Sequence, residues 1–433
     1  MLGMRFGLRR MRALLAQLGD PHLGRPTLHV VGTNGKSSTA RLAAAALDSQ
    51  GRTSGLYLSP HVEGWCERIA VGGRPLDAAG FAAAVGEVRA AAARLQLAPD
   101  DGVTQFEVLT AAAFWVFGEW GVQAAAVEAG LGGRYDATNV LAPHAAVALT
   151  NVALEHTDLL GDSEEAIAGE KLAVAHDGAG PVVVGPMPAR AGAAVTAAAA
   201  TRSLRLERVG EEISAEPVEG GVSVRTPRGT YERLPLPLRG DFQRANLAVA
   251  LAGAELVLGG PLDPAPLAPA LAGVRLAGRF ELLDGRPVLL LDGAHNPAGM
   301  AALCAALPEA LGRRRTVAVV SVLGDKDVRA MAGSLAGVCD HVVATRSAHL
   351  RAAEPERLAE LLRASGASAS FDPDPRSAVA GAARRAGPGG AVVVCGSLYL
   401  LADLRPALVE GAAQGAANPP CYARPRDAPS ITP

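Results

Sequence analysis

Thr27-Leu28-His29-Val30-Val31-Gly32-Thr33-Asn34-Gly35-Lys36-Ser37-Ser38 is the stretch on which the fold turns. Apolar, strand-like sequence from Thr27 to Val31 runs into a glycine-bearing turn, and an Ala-rich run from about Ser37 to Ser49 then reads as a helix. Strand, loop and helix in that order open a parallel α/β sheet. The loop has the makings of a phosphate cradle: backbone N–H groups at a helix start, Lys36 to neutralise β- and γ-phosphates, and a hydroxyl after the lysine to ligate Mg²⁺. Thr33, Asn34, Gly35, Lys36, Ser37 and Ser38 are therefore candidate nucleotide-binding residues, with either serine available to the metal. Gly32 stands closer to Gly35 than in the general G-x-x-x-x-G-K-[ST] pattern, so an ordinary glycine-rich βα turn is the competing reading.

Working outward, apolar runs at Ala124–Val127, Ala145–Leu149 and Val182–Val184 alternate with helical stretches at Ala111–Trp120 and Glu164–Ala175, as a parallel sheet requires. Between Ser203 and Leu238 short alternating segments around Gly220-Gly221 and Pro227-Arg228-Gly229 read as antiparallel hairpins. Helix resumes at Phe242–Leu258. A Pro-rich stretch, Pro261 to Pro269, is expected to precede a short helix, and a second βα series follows with strands at Val288–Leu291, Thr316–Ser321, His341–Thr345 and Ala391–Cys395. The expected organisation is an α/β domain carrying the phosphate loop over 1–276, a smaller second α/β domain over 277–410 and a disordered tail over 411–433.

Composition narrows the class. The 433 residues carry 41 Lys plus Arg against 43 Asp plus Glu, a formal net charge of −2, which suits small-molecule partners better than nucleic acid. No apolar run is long enough to span a membrane and no signal-peptide pattern opens the chain, so a cytoplasmic protein is expected. Five scattered cysteines without CxxC spacing fit neither a disulfide framework nor a structural zinc site. Only three of the 41 basic residues are lysines, Lys36, Lys171 and Lys326, which suggests that each stands where arginine cannot serve.

Several further segments carry chemistry. Ser59, Glu128 and His156 offer a hydroxyl, a carboxylate and an imidazole from three strand ends or loops, where an open α/β sheet collects its site. Each has a plainer alternative: Glu128 as a solvated charge at a strand end, His156 as a structural histidine.

Together, GTNGKSS, Leu58-Ser59-Pro60-His61, the run from Glu128 to Asn139 (EAGLGGRYDATN), Leu154-Glu155-His156-Thr157-Asp158 and Asp292-Gly293-Ala294-His295-Asn296-Pro297 resemble the folylpolyglutamate synthase/dihydrofolate synthase family, a branch of the Mur-type ATP-dependent amide ligases. The resemblance runs from about Arg5 to Leu408 and implies an ATP- and pterin-binding domain over 1–276 and a Rossmann-like, glutamate-binding domain over 277–410. It implies an ATP- and Mg²⁺-dependent enzyme that joins L-glutamate to dihydropteroate, a reduced folate or both through an acyl phosphate, acting on small molecules alone and as a monomer. A cell-wall precursor ligase of the same class and a non-ligase P-loop regulatory protein are the rivals.

The same resemblance distributes roles. Ser37 or Ser38, Ser59, Glu128 and His156 hold Mg²⁺, joined by Lys171, whose family counterpart carries a carbamate. Phe6, Gly7, Thr104, Gln105, Phe106, Glu107, Tyr135, Asp136 and Ala137 line the pterin site, Tyr135 replacing the family's leucine. Asn246, Arg279 and Asp292 contact ATP, and His295 approaches the reacting groups as a catalytic candidate. Lys326, in Gly324-Asp325-Lys326-Asp327, and Ser397, in Gly396-Ser397-Leu398-Tyr399, are candidates for the glutamate carboxylates; a surface ion pair is the alternative for Lys326.

Overall fold

The computed structural model describes residues 7–98, 101–141, 146–176 and 180–413. Two compact units divide the chain, Met1–Leu276 and Ala277–Pro433. Phe6 lies outside the described residues, as does the expected tail from residue 414 on.

The first unit is built on eight strands: β1 (Thr27–Val31), β2 (Ser54–Tyr57), β3 (Ile69–Val71), β4 (Arg74–Pro75), β5 (Ala124–Glu128), β6 (Ala146–Leu149), β7 (Val182–Val184) and β8 (Leu206–Arg208). Their order is β4-β3-β2-β5-β1-β6-β7-β8, parallel from β2 to β8, with β3 and β4 added antiparallel at one edge. Every residue of β1 and β5 is buried. A strand covered on both faces is mostly apolar, which is why these segments read as hydrophobic runs, and the buried polar side chains within them, Thr27, His29 and Glu128, are hydrogen-bonded. The helix Phe242–Leu258 is buried along most of its length, packed on the helix Lys36–Ser49 and on β1, so it too is apolar nearly all round.

The Ser203–Leu238 region is only partly the expected hairpin set. β9 (Ser214–Val218), β10 (Gly221–Arg225) and β11 (Thr230–Leu234) form a three-stranded antiparallel sheet, but β8 pairs parallel with β7. The helix Ala189–Ala200 supplies the crossover that returns the chain to the main sheet there. Arg228, in the β10–β11 turn, makes a two-pronged ion pair with the buried Glu207 of β8, at 2.8 and 2.9 Å, tying the small sheet down. The Pro-rich stretch also needs correcting: it does not precede a helix but is one, Pro264–Ala272, capped by Asp263. Proline is tolerated in a first turn because the N–H it lacks would have no partner in the helix.

The second unit holds β12 (Glu281–Leu283), β13 (Val288–Leu291), β14 (Thr316–Val320), β15 (His341–Ala344), β16 (Ala369–Phe371) and β17 (Ala391–Cys395) in the order β12-β13-β17-β14-β15-β16. All pairings are parallel except that of β12. The last helix, Leu398–Ala413, continues three residues past Glu410, so the expected start of the tail at 411 falls inside a helix. Among the described residues no helix is long and apolar enough to cross a membrane, and Cys66, Cys304, Cys339 and Cys395 are free thiols.

Candidate active site

In the first unit the sequence motifs gather at the carboxyl ends of β1, β2, β5 and β6, the edge where open α/β sheets bind ligands. Gly35 caps the helix Lys36–Ser49 with φ +85°, and a Cβ there would stand 2.5 Å from Asn246 Oδ1. The turn therefore needs glycine both for its left-handed backbone and for the close approach of Asn246. Asn246 Nδ2 donates to Gln243 Oε1 at 2.8 Å on the same helix. Behind the loop, Asn151 Oδ1 accepts from Asn34 N at 2.9 Å and Thr150 Oγ1 donates to the Asn34 carbonyl at 2.6 Å. These two buttresses were not assigned from sequence.

Lys36 Nζ donates to the carbonyls of Gly32 and Thr33 at 3.1 and 3.0 Å. Lys171, on the helix Glu164–Leu172, is 3% exposed and donates to the same Gly32 carbonyl at 2.8 Å. Burial, with Lys36 nearby adding to it, pushes the Lys171 ammonium down to about 7, against the opposing pull of Glu155 and Asp136.

Glu128, at the end of β5, is 1% exposed. Its Oε1 accepts from Ser37 Oγ at 2.9 Å and its Oε2 from Ser59 N at 3.1 Å. Ser37, not Ser38, makes that bond. The Ser59 hydroxyl is buried with no hydrogen-bond partner, an orphan that a cation beside Glu128 would satisfy. His156 is in the left-handed region, φ +52°, with Nε2 3.7 Å from Glu155 Oε1. Two hydroxyls and one carboxylate suit Mg²⁺, which takes few protein ligands and completes its shell with phosphate oxygens and water.

The segments expected at the pterin site also meet. Thr104 and Glu107 form a capping box at the head of the helix Gln105–Glu119, and Arg10 Nε donates to the buried Glu107 at 3.2 Å. Their polar atoms thus serve the helix start, whereas the Phe106 ring lies against the glycine loop: a Cβ on Gly130 would be 2.5 Å from it. Gln105 is exposed, Gly7 half-buried, Tyr135 51% exposed, and Asp136 and Ala137 buried.

In the second unit, Asp292 follows β13 with both oxygens engaged, Oδ2 by Phe280 N at 2.7 Å and Oδ1 by Ala294 N at 2.8 Å. Burial raises its carboxyl, opposed chiefly by Arg279. His295 Nδ1 is 2.7 Å from the Gly293 carbonyl, and Asn296 caps the following helix. Lys326 and Ser397 follow the adjacent strands β14 and β17. The aspartates flanking Lys326 have other work: Asp327 caps a helix and Asp325 pairs with Arg351 at 3.5 Å. Ser397 Oγ accepts from Tyr399 N at 3.1 Å.

Comparison with known proteins shows the family. Residues 278–398 match the family model described as Mur ligase, glutamate ligase domain. The chain is 36% identical over 414 residues to the folylpolyglutamate synthase of Lacticaseibacillus casei, covering 93% of this chain and 94% of that one. Among solved structures it is similar to Escherichia coli FolC in complex with DHPP and ADP (TM-score 0.84, 29% identity, 94% of each chain). It is also similar to the bifunctional folylpolyglutamate synthase/dihydrofolate synthase of Yersinia pestis complexed with AMPPNP and Mn ion (TM-score 0.82, 30% identity, 94% of each chain).

Proposed function

The chain belongs to the folylpolyglutamate synthase/dihydrofolate synthase family of ATP-dependent glutamate ligases, and from that premise we propose how its own residues divide the reaction. The acceptor is a pterin bearing a carboxylate, dihydropteroate or a reduced folate; the donor of the new amide nitrogen is L-glutamate. The cell-wall ligase and regulatory-protein alternatives give way to this family membership.

Thr33, Asn34 and Gly35 present backbone N–H groups to the ATP phosphates, and Lys36 turns from the Gly32 and Thr33 carbonyls to the γ-phosphate as charge spreads in the transition state. Ser37, Ser59, Glu128 and His156 hold Mg²⁺, Ser38 remaining on the helix behind. The ion's contribution when bound is to neutralise phosphate charge and hold the γ-phosphoryl group in line with the acceptor carboxylate. Transfer gives an acyl phosphate, and the glutamate amine then displaces phosphate. Asn246, Arg279 and Asp292 contact the nucleotide, His295 the reacting groups, and Lys326 and Ser397 the glutamate carboxylates. The acceptor lies along Gly7, Phe106 and the Gly130–Ala137 loop. The protein works in the cytoplasm and as a monomer.

Lys171 carries a carbamate in this reading. A buried amine held near neutrality is the nucleophilic form that adds CO₂, and the carbamate nitrogen keeps one N–H for the Gly32 carbonyl. Modification exchanges a cation that repels Mg²⁺ for an oxygen ligand.

The observation that carries the whole reading is the convergence of Lys36 and Lys171 on Gly32 beside the Ser37–Glu128–Ser59 cluster. Phosphate release tests it. Release should require both a pterin carboxylate and glutamate, with a product heavier by one glutamyl residue in the mass spectrum; ATP hydrolysis indifferent to both would refute the ligase assignment. Dihydropteroate and a reduced folate, tried in turn, identify the acceptor.

A further inference from the structure

His29 sits in the middle of β1, three residues ahead of Gly32, and is 1% exposed. None of the roles assigned above falls on it. Its Nε2 lies 2.7 Å from Thr138 Oγ1, and that hydroxyl lies 2.5 Å from Asp136 Oδ1. Asp136 also accepts from Thr138 N at 3.0 Å and, through Oδ2, from Leu131 N at 2.8 Å in the glycine loop. Gly130 N adds a further hydrogen bond.

The protons along this series of side chains can be placed by elimination. Burial raises the Asp136 carboxyl, opposed by the Thr138 hydroxyl and the Leu131, Thr138 and Gly130 N–H groups; with all four donors aimed at it the carboxylate only accepts, so the single hydroxyl proton of Thr138 points at Asp136 Oδ1. The Thr138 oxygen is then free to accept, and the proton it accepts comes from His29 Nε2. That fixes the tautomer: Nε2 carries the hydrogen and Nδ1 is a bare acceptor, in keeping with its having no hydrogen-bond partner. The opposite tautomer would bury an unsatisfied N–H and draw the Thr138 proton away from Asp136. Burial, reinforced by His176, holds the ring neutral, its pKa pushed down to about 3.

We propose that His29 is a positioning residue for the acceptor pocket: acting through Thr138 it orients the Asp136 carboxylate, which pins the Gly130–Leu131 backbone of the glycine loop. Because β1 leads directly into the phosphate loop, one strand sets the position of both substrates' loops. The inference rests on the reading that the glycine loop lines the pterin site.

The test compares His29→Phe, His29→Gln, Thr138→Val and Asp136→Asn with wild type, measuring kcat, the KM of the pterin acceptor, the KM of ATP and the thermal midpoint. His29→Phe and Thr138→Val should each raise the acceptor KM by about tenfold while leaving the ATP KM within about twofold, the loss expected when a buried carboxylate loses an oriented donor. His29→Gln, whose amide N–H reaches near the Nε2 position, should restore the acceptor KM to within about threefold of wild type. A folded His29→Phe protein with unchanged acceptor KM overturns the proposal, as does an equal rise in both KM values or a glutamine no better than phenylalanine. If the phenylalanine variant does not fold, the near-isosteric Thr138→Val decides the matter on the same criteria. Asp136→Asn separates the two levels: an unchanged acceptor KM there means the pterin assignment of the loop has failed, whereas a raised one with silent His29 and Thr138 variants means that only the His29 inference has.

Discussion

Lys36 and Lys171, 135 positions apart in sequence, donate to one acceptor, the Gly32 carbonyl, at 3.1 and 2.8 Å. Burial first, and then repulsion by the Lys36 ammonium on the same oxygen, pushes Lys171 from the usual lysine range to about 7. The phosphate loop thus holds one lysine suited to bind charge and one poised to lose it.

A pH dependence follows. Below about 7 Lys171 is mostly ammonium and cannot add CO₂; above it the neutral amine predominates. Turnover of enzyme stripped of CO₂ and then given bicarbonate should recover more fully at about pH 8 than at about pH 6. Recovery that is equal at both, or greater at the acid end, would contradict the proposed ionisation.

Glu128→Gln keeps the size of the side chain and an oxygen for Ser37, but removes the negative charge from the proposed metal site. The Mg²⁺ concentration giving half-maximal turnover should rise by about tenfold or more, while the thermal midpoint changes little. Titrating Mg²⁺ against phosphate release decides it.

Gly130 touches the Phe106 ring, so Gly130→Ala must displace the ring or the loop. The acceptor KM should rise several-fold, about 1 kcal/mol of lost complementarity, with the ATP KM unaffected. Trimming the ring in a Gly130→Ala, Phe106→Leu double variant should recover part of the loss. Strict additivity of the two single changes would show that they do not share a pocket wall.

Much of the fold is legible in the sequence alone, and the reasons are physical. Val182–Val184 and Phe242–Leu258 match the strand and helix found, because segments buried on all sides leave a continuous apolar record. Glu128 can be seen to end a strand because it terminates such a run. What sequence does not reveal depends on meetings between distant residues. Nothing near Lys171 announces the Gly32 carbonyl, and nothing near His29 announces Thr138, 109 positions away. Leu206–Arg208 reads as a hairpin strand because alternation does not say which sheet a segment joins. The stretch 261–269 reads as leading up to a helix because proline usually interrupts one, yet Pro264 fits the first turn and Pro269 lies within the helix itself.

The most direct test of the proposed chemistry is the turnover of Lys171→Arg at saturating ATP, pterin acceptor and glutamate, beside a check of its fold by circular dichroism and thermal midpoint. Arginine keeps the positive charge and a donor for Gly32 but stays protonated and forms no carbamate. The prediction is a folded protein whose glutamate-dependent phosphate release falls to background; a folded Lys171→Arg enzyme turning over at near the wild-type rate would contradict it.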